Sequence, residues 1–260
     1  MSFIGAINEK CRKFFATHAG LLDNRDVYVG CSGNFSLEQI LTAGAPAARV
    51  HSNDISLYSS CLGHLLAGQP FRLSCVDPEL NWLNAYIDRG PVEQMASIML
   101  LITMLQFRKC NNPYQQRMWT HYLANFARYF DNSCDKVRKV AAKIRVAGYT
   151  MTDVHDYYPR SGSVSVGFLP TYVGGYEKLF KHLDAAMDWD RPQYEMLTTE
   201  RREETIRRMS QGTSSSMTTT SETISPASPP SPPAAARMST STQTFRSLTG
   251  GSRSSPSADN

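Results

Sequence analysis

The feature that most constrains the fold lies between residues 26 and 54. Asp26–Val29 (DVYV) is a short β-rich run ending in the glycine turn GCSGN, residues 30–34, after which Phe35–Leu41 begins a helical pattern. Arg49–Ser52 (RVHS) is a second short strand, closed by Asn53 and Asp54. Strand, glycine turn, helix, strand and acid, in that order, open a doubly wound α/β sheet, because a right-handed crossover returns the chain parallel to its own first strand. Ile55–Ala67 follows as a helix stopped by Gly68.

Between residues 78 and 147 the strand pattern gives way to helices. Pro91 suits the first turn of a helix running to Phe107, apolar nearly all round and therefore buried. Pro113 opens a second helix, predicted to run through Phe130. A third, capped at Asp131, Asn132 or Ser133, places Val137, Val140, Ala141 and Ile144 at helical spacing before Gly148 ends it. Strand character returns in Tyr149–His155 and Ser163–Leu169, an amphipathic helix is expected over Gly174–Met187, and Gln193–Leu197 reads as a further strand. The fold class is α/β: a Rossmann-like doubly wound sheet with a helical insert, at 78–147, between its second and third strands.

Composition sets the ends of that domain. About three-fifths of the residues from Ser210 to Asn260 are Ser, Thr or Pro. Such a segment has too little apolar surface to offset an ordering entropy of ~1–2 kcal/mol per residue. A domain over 1–205 and a disordered tail over 206–260 are expected. The net charge is only +4, but Arg108–Arg145 alone holds nine basic and two acidic residues. The remainder of residues 1–200 is therefore acidic, and one segment forms a candidate face for a polyanion. The longest apolar run, Met95–Phe107, falls short of the ~20 residues that a membrane helix needs. The N-terminus lacks the pattern of a secretory leader, so the expected location is cytoplasmic. Six cysteines without a CxxC pair and six histidines without an HExxH predict reduced thiols and no metal.

Two segments carry chemistry. Gly30, Cys31, Ser32 and Gly33 let a ligand approach the backbone, and Asp54, about 20 residues on, sits where an acid accepts hydrogen bonds from ribose hydroxyls. That pattern suits a nucleoside-containing cofactor; a tight strand-to-helix turn with Asp54 capping the next helix uses the same residues. The second is FLPTYVGGYE, residues 168–177, which leaves a buried strand at its carboxyl end. There Tyr172 serves either as a stacking platform for a flat ring or as packing against the sheet.

This order of motifs resembles the Dam-type class of amino-group DNA methyltransferases. That class joins a glycine loop, an ND(I/V) strand end, a helical target-recognition insert and a DPPY-type turn. The match runs over roughly residues 26–185, with SNDISLY (52–58) and LPTY (169–172) its most specific parts. More narrowly, it is similar to phage adenine methyltransferases with an antirestriction role. The resemblance implies S-adenosylmethionine as donor, held by Gly30, Cys31, Ser32, Gly33 and Asp54. It implies double-stranded DNA as substrate, with an adenine flipped out against Leu169, Pro170, Thr171 and Tyr172. The insert would contact DNA through Arg108, Lys109, Arg117, Arg128, Lys136, Arg138, Lys139, Lys143 and Arg145, with Asn111, Asn112, Gln115 and Gln116 in reach of base edges. Masking of sites from a host restriction system, in the host cytoplasm, would follow.

The chain also departs from the pattern. Leu169 stands where the class has an acid, Thr171 replaces the second proline, and CRKFFATHAGLL is no match for the glycine motif expected before the first strand. Low complexity soon after Leu197 leaves the sheet expected to be incomplete. An adenine amine is a poor nucleophile and needs acceptors. The candidates are the carbonyls of Leu169 and Pro170, the Thr171 hydroxyl, and Asp156 ahead of Asp153. A catalytically inactive relative that binds DNA or blocks a restriction protein is the alternative reading.

Overall fold

Alternation of side chains decides how the sheet is covered. In β1 (Asp26–Gly30), Val27 and Val29 are buried, and Tyr28 between them points to the other face. The computed structural model describes residues 7–158, 163–169, 176–211, 213–219 and 224–226, and these lie in one unit, Met1–Ser228. β2 (Arg49–Asn53) pairs parallel with β1, placing Val50 beside Val27. On its other side β1 pairs parallel with β5 (Ser163–Gly167), placing Val164 beside Val27 and Val166 beside Val29. β4 (Gly148–Thr150) pairs parallel with β2 at the edge.

The expected doubly wound sheet is present as a parallel core in the order β4-β2-β1-β5. α1 (Glu9–His18) and α2 (Ser36–Gly44) cover the valine face, where Phe15, Leu37 and Leu41 meet Val27, Val29, Val50, Val164 and Val166. Both crossovers toward β4 run one way and the crossover to β5 runs back, so the order reverses at the β1/β5 boundary.

α3 (Leu57–Ala67) starts at an N-cap, Ser56, and stops at Gly68, whose φ of +64° is the left-handed cap glycine tolerates best. Beyond it the chain leaves the sheet. β3 (Leu73–Cys75) forms an antiparallel pair of its own with β6 (Met187–Trp189), a pairing too short for the sequence pattern to reveal. The insert is helical as expected: α4 (Asn84–Ile87), α5 (Pro91–Leu105), α6 (Pro113–Ala124) and α7 (Phe126–Ala141).

Its internal boundary differs from the prediction. The helix expected to begin at Asp131–Ser133 begins at Phe126, and the break falls at Asn125. Phe126, Phe130, Ser133, Cys134 and Val137 form one buried stripe, which holds the helix continuous through the polar Asp131 and Asn132.

The strand expected over Tyr149–His155 ends at Thr150, because Asp153 caps a short helix, α8 (Val154–Tyr157), by accepting the His155 N–H at 2.9 Å. Gln193–Leu197 has no regular structure, while α9 (Tyr176–Ala186) lies within the helix expected there. The boundary expected at 205/206 falls inside α10 (Thr199–Gln211), where Thr205 and Met209 are buried. β7 (Thr213–Thr219) then pairs parallel with β5, and β8 (Ile224–Pro226) pairs antiparallel with β7. The rest of the low-complexity sequence lies outside the described residues.

Candidate active site

Doubly wound sheets bind ligands beyond the carboxyl ends of their strands, at the point where strand order reverses. In this chain that point lies between β1 and β5, ringed by the segments that leave β1, β2, β4 and β5.

The β1 loop is held by its own side chains and by β2. Cys31, Gly33 and Phe35 all have φ near +60°, a left-handed conformation that costs non-glycine residues energy and fits only Gly33 without strain. The Gly33 N–H donates to Asp54 Oδ2 at 2.9 Å, and the Ser56 N–H donates to Asp54 Oδ1 at 2.9 Å. The Ser32 N–H donates to the Asn53 carbonyl at 2.9 Å, and Ser59 Oγ donates to the Gly33 carbonyl at 2.7 Å. Asp54 is thus buried and ties the loop to the end of β2. Burial raises its carboxyl above the ordinary range, and the N–H groups of Ser56 and Gly33 offset part of that. Burial, with Asp54 and Asp153 nearby, pushes the Cys31 thiol well up, so it is protonated at neutral pH.

Gly30 has a different reason to be glycine from the one expected. A Cβ there would fall on the hydroxyl of Tyr158, whose ring also closes on Gly167, the residue paired with Gly30 across the two strands. The Tyr158 hydroxyl donates to the Val166 carbonyl at 3.2 Å. The close approach at Gly30 is therefore made by the protein's own phenol.

Asn53 is fully buried beside this loop. Its Nδ2 donates to the carbonyls of Thr150 and Thr152 at 2.9 and 2.8 Å, and its Oδ1 has no partner among the described residues. A buried acceptor left open at the end of β2, next to a fixed carboxylate, suits a ligand carrying hydroxyl or amino donors.

The remaining candidates separate. Leu169 is buried just beyond β5 and offers only its backbone to chemistry. Pro170, Thr171 and Tyr172 lie outside the described residues. Asp153, proposed as a substitute acid, is spent on structure: its Oδ2 accepts the Glu195 N–H at 3.0 Å and the Arg201 guanidinium at 2.9 Å. Burial would raise that carboxyl, but the N–H groups of Glu195 and His155, with Arg201, outweigh it and hold it below the usual range. Asp156 is exposed and pairs with Arg208 at 3.4 Å.

The cations of the insert also divide. Arg108 pairs with Asp77 and Glu79, and Arg138 pairs with Glu93 and Asp135. Arg145, beyond α7, reaches back to the carbonyls of Thr42 and Pro46. Lys109, Arg117, Arg128, Lys136, Lys139 and Lys143 are exposed and make no ion pair among the described residues. Asn112 and Gln115 cap α6 rather than extend from it: Asn112 Oδ1 accepts the Gln115 N–H at 2.9 Å, and Gln115 Oε1 accepts the Asn111 N–H at 2.8 Å.

Sequence reasoning missed Glu38 and Tyr158. Glu38 falls in the first turn of α2, where an acid reads simply as a complement to the helix dipole. Tyr158 follows another tyrosine in the stretch between the two strands expected at Tyr149–His155 and Ser163–Leu169, where the sequence assigns it no role.

The fold and the site at its switch point define a Rossmann-like α/β domain with a helical bundle inserted between β2 and β4. The chain belongs to the family described as Phage DNA Adenine Methylase-like domain 1, which matches residues 3–246. It is therefore methyltransferase-like at the level of family. Neither the curated proteins nor the solved structures contain a match to it. Among the described residues no helix is long and apolar enough to cross a membrane, and no group of three or more His, Cys, Asp or Glu side chains could hold a metal.

Proposed function

We propose that this protein transfers a methyl group from S-adenosylmethionine to the exocyclic amine of an adenine flipped out of double-stranded DNA, and so masks sites from a host restriction system. The observation that carries the reading is Asp54, fixed beside the glycine loop at the end of β2, in a member of a DNA adenine methylase-like family.

Gly33, Asn53 and Asp54 would hold the cofactor, with the open Oδ1 of Asn53 as an acceptor for one of its donors. S-adenosylmethionine would supply an electrophilic methyl group on a sulfonium. The protein's own task is to raise the nucleophilicity of the amine by accepting hydrogen bonds from it. Because Asp153 and Asp156 are engaged with Arg201 and Arg208, the acceptors left are backbone carbonyls at Leu169 and Pro170 and the Thr171 hydroxyl. Tyr172 would stack on the flipped base and offset part of a flipping cost of a few kcal/mol.

One observation favours a second reading, an inactive relative that binds DNA: the buried side chain at the position of the class acid is Leu169, which accepts nothing. Incubating the purified full chain with methyl-labelled S-adenosylmethionine and duplex DNA, then separating the nucleosides, decides between them. Label in methyladenine is expected; a folded protein that binds duplex but leaves it unlabelled supports the inactive relative.

A further inference from the structure

A strained loop has to be held, and the β1 loop is strained, since Cys31 and Phe35 adopt the left-handed backbone that favours glycine. Asn53, Asp54 and Ser59 tie it from β2 and α3. Glu38 adds a tie from α2. It occupies the first turn of that helix and is fully buried. An acid that merely complements a helix dipole does so from the surface and gains nothing from such burial. Ser52 Oγ, on β2 just before Asn53 and Asp54, donates to Glu38 Oε1 at 2.9 Å. The Ser32 hydroxyl, inside the glycine loop, lies beside the same carboxyl. One buried side chain thus meets both the loop that leaves β1 and the strand end that carries Asn53 and Asp54.

The second oxygen decides the charge. Glu38 Oε2 is buried and has no partner among the described residues. An ionised carboxylate spreads its charge over both oxygens, so an oxygen with neither water nor a donor makes that form costly. A protonated carboxyl carries no such charge, and its O–H can turn toward the Ser32 hydroxyl, which faces the Val29 carbonyl at 3.5 Å. The neighbouring titratable groups favour the same form. Asp54, at the end of β2, carries like charge and disfavours ionisation. Tyr157, on α8, keeps its phenol proton because burial, and then Glu38, raise it, and the Cys31 thiol keeps its own. Glu9, Arg12 and Lys13 of α1 line an open groove with Ser36 and Ile40, on the side of α2 turned away from Glu38. Asp26, Arg49 and His51 occupy strand positions on the face opposite Ser52. The Arg145 guanidinium, further along α2, is turned to the carbonyls of Thr42 and Pro46.

We propose that Glu38, in its protonated form, is a positioning residue that holds the glycine loop and the end of β2 in the shape that receives the cofactor. The proposal deepens the methyl-donor reading above and rests on it. Glu38 touches no substrate; it acts through Ser32 and Ser52 on Gly33, Asn53 and Asp54. Its proton then regulates the site. Below about pH 7 the carboxyl keeps that proton and the loop stays tied. Above it, a charge appears close to Asp54 with one oxygen unserved, and the loop loosens to let water reach it. Cofactor binding and proton retention favour each other, so affinity falls as pH rises.

The test measures the affinity of the full chain for S-adenosylhomocysteine, the demethylated cofactor, by calorimetry between about pH 6 and about pH 8.5. Glu38→Gln keeps the shape and stays neutral, so it should match wild type at the acid end of that range. Wild type is then expected to weaken about tenfold more than Glu38→Gln toward the alkaline end, as one pKa unit is a tenfold change in population. Titration of the ligand itself is common to both proteins and cancels. Glu38→Ala, which frees both hydroxyls, should bind more weakly than Glu38→Gln throughout. Circular dichroism at each pH confirms that the proteins are folded. A role in filling space alone would give wild type and Glu38→Gln parallel pH profiles, and that result overturns the proposal. A second readout needs no cofactor: amide exchange at Ser32 and Gly33 by NMR, corrected for the intrinsic effect of pH. Protection should fall about tenfold over the same range in wild type and hold in Glu38→Gln; equal profiles again overturn the proposal. If none of the proteins binds S-adenosylhomocysteine while exchange differs as expected, the methyl-donor reading fails and the hold of Glu38 on the loop stands. Binding with parallel profiles sinks the positioning role alone.

Discussion

Glu38 lies one turn into α2, sealed from water between that helix and β2. Its Oε1 accepts from Ser52 Oγ at 2.9 Å, and Oε2 has no partner among the described residues. Burial raises its pKa from 4.5 to about 7, and the nearby hydroxyls of Ser32 and Ser52 offset only part of that. The folded pKa lies above that of the unfolded chain, so between those values the native state keeps a proton the unfolded chain has released. The stabilisation is complete below about pH 4.5 and lost as pH rises to about 7. Its size is about 3 kcal/mol. Glu38→Gln is neutral at every pH, so denaturant unfolding should show wild type losing about 3 kcal/mol relative to the variant between pH 4.5 and 8. A difference that stays constant with pH would contradict a buried, proton-holding carboxyl. The sequence displayed the two glycines and the acid of this site but not what pressed against them. Gly30 reads as room for a ligand, and the structure fills that room with Tyr158, a contact between distant positions that no local spacing encodes.

At the scale of elements, periodicity placed the centres of the helices and missed their joints. α5 and the stripe of α7 were legible because burial repeats along them; the joint at Asn125 was not, since Tyr122, Phe126 and Tyr129 continue an aromatic pattern straight across it. Only contact with residues outside the insert's last two helices separates them. Phe126 is buried in edge-to-face contact with Trp82 and Tyr86, at centroid distances of 4.6 and 4.9 Å, while Leu123 on α6 is exposed. Phe126→Ala should therefore cost about 3–5 kcal/mol, and Leu123→Ala less than about 0.5 kcal/mol. Thermal unfolding of the two variants checks this, and equal losses would mean that α6 is packed after all. β3 and β6 were illegible for another reason: three residues are too few for alternation to register, and their pairing joins positions more than a hundred residues apart.

Across the whole molecule, a parallel sheet gathers the ends of β1, β2, β4 and β5 at one edge, and a helical insert carries Lys109, Arg117, Arg128, Lys136, Lys139 and Lys143, which make no ion pair among the described residues. The sheet and the insert were readable from the order of motifs, since strand order and crossover hand leave few alternatives. Their division of labour was not, because whether a lysine or an acid is engaged depends on partners distant in sequence, as Asp153 with Arg201 and Arg108 with Asp77 show. Methyl transfer at this edge, as proposed above, has to proceed although Leu169 stands just beyond β5, with acceptors drawn from the backbone and a hydroxyl instead of an acid. Mass spectrometry of nucleosides from the DNA of cells expressing the full chain tests that claim most directly. The predicted result is a methyladenine peak absent from cells without the protein; an unmodified profile from well-expressed, folded protein would contradict it.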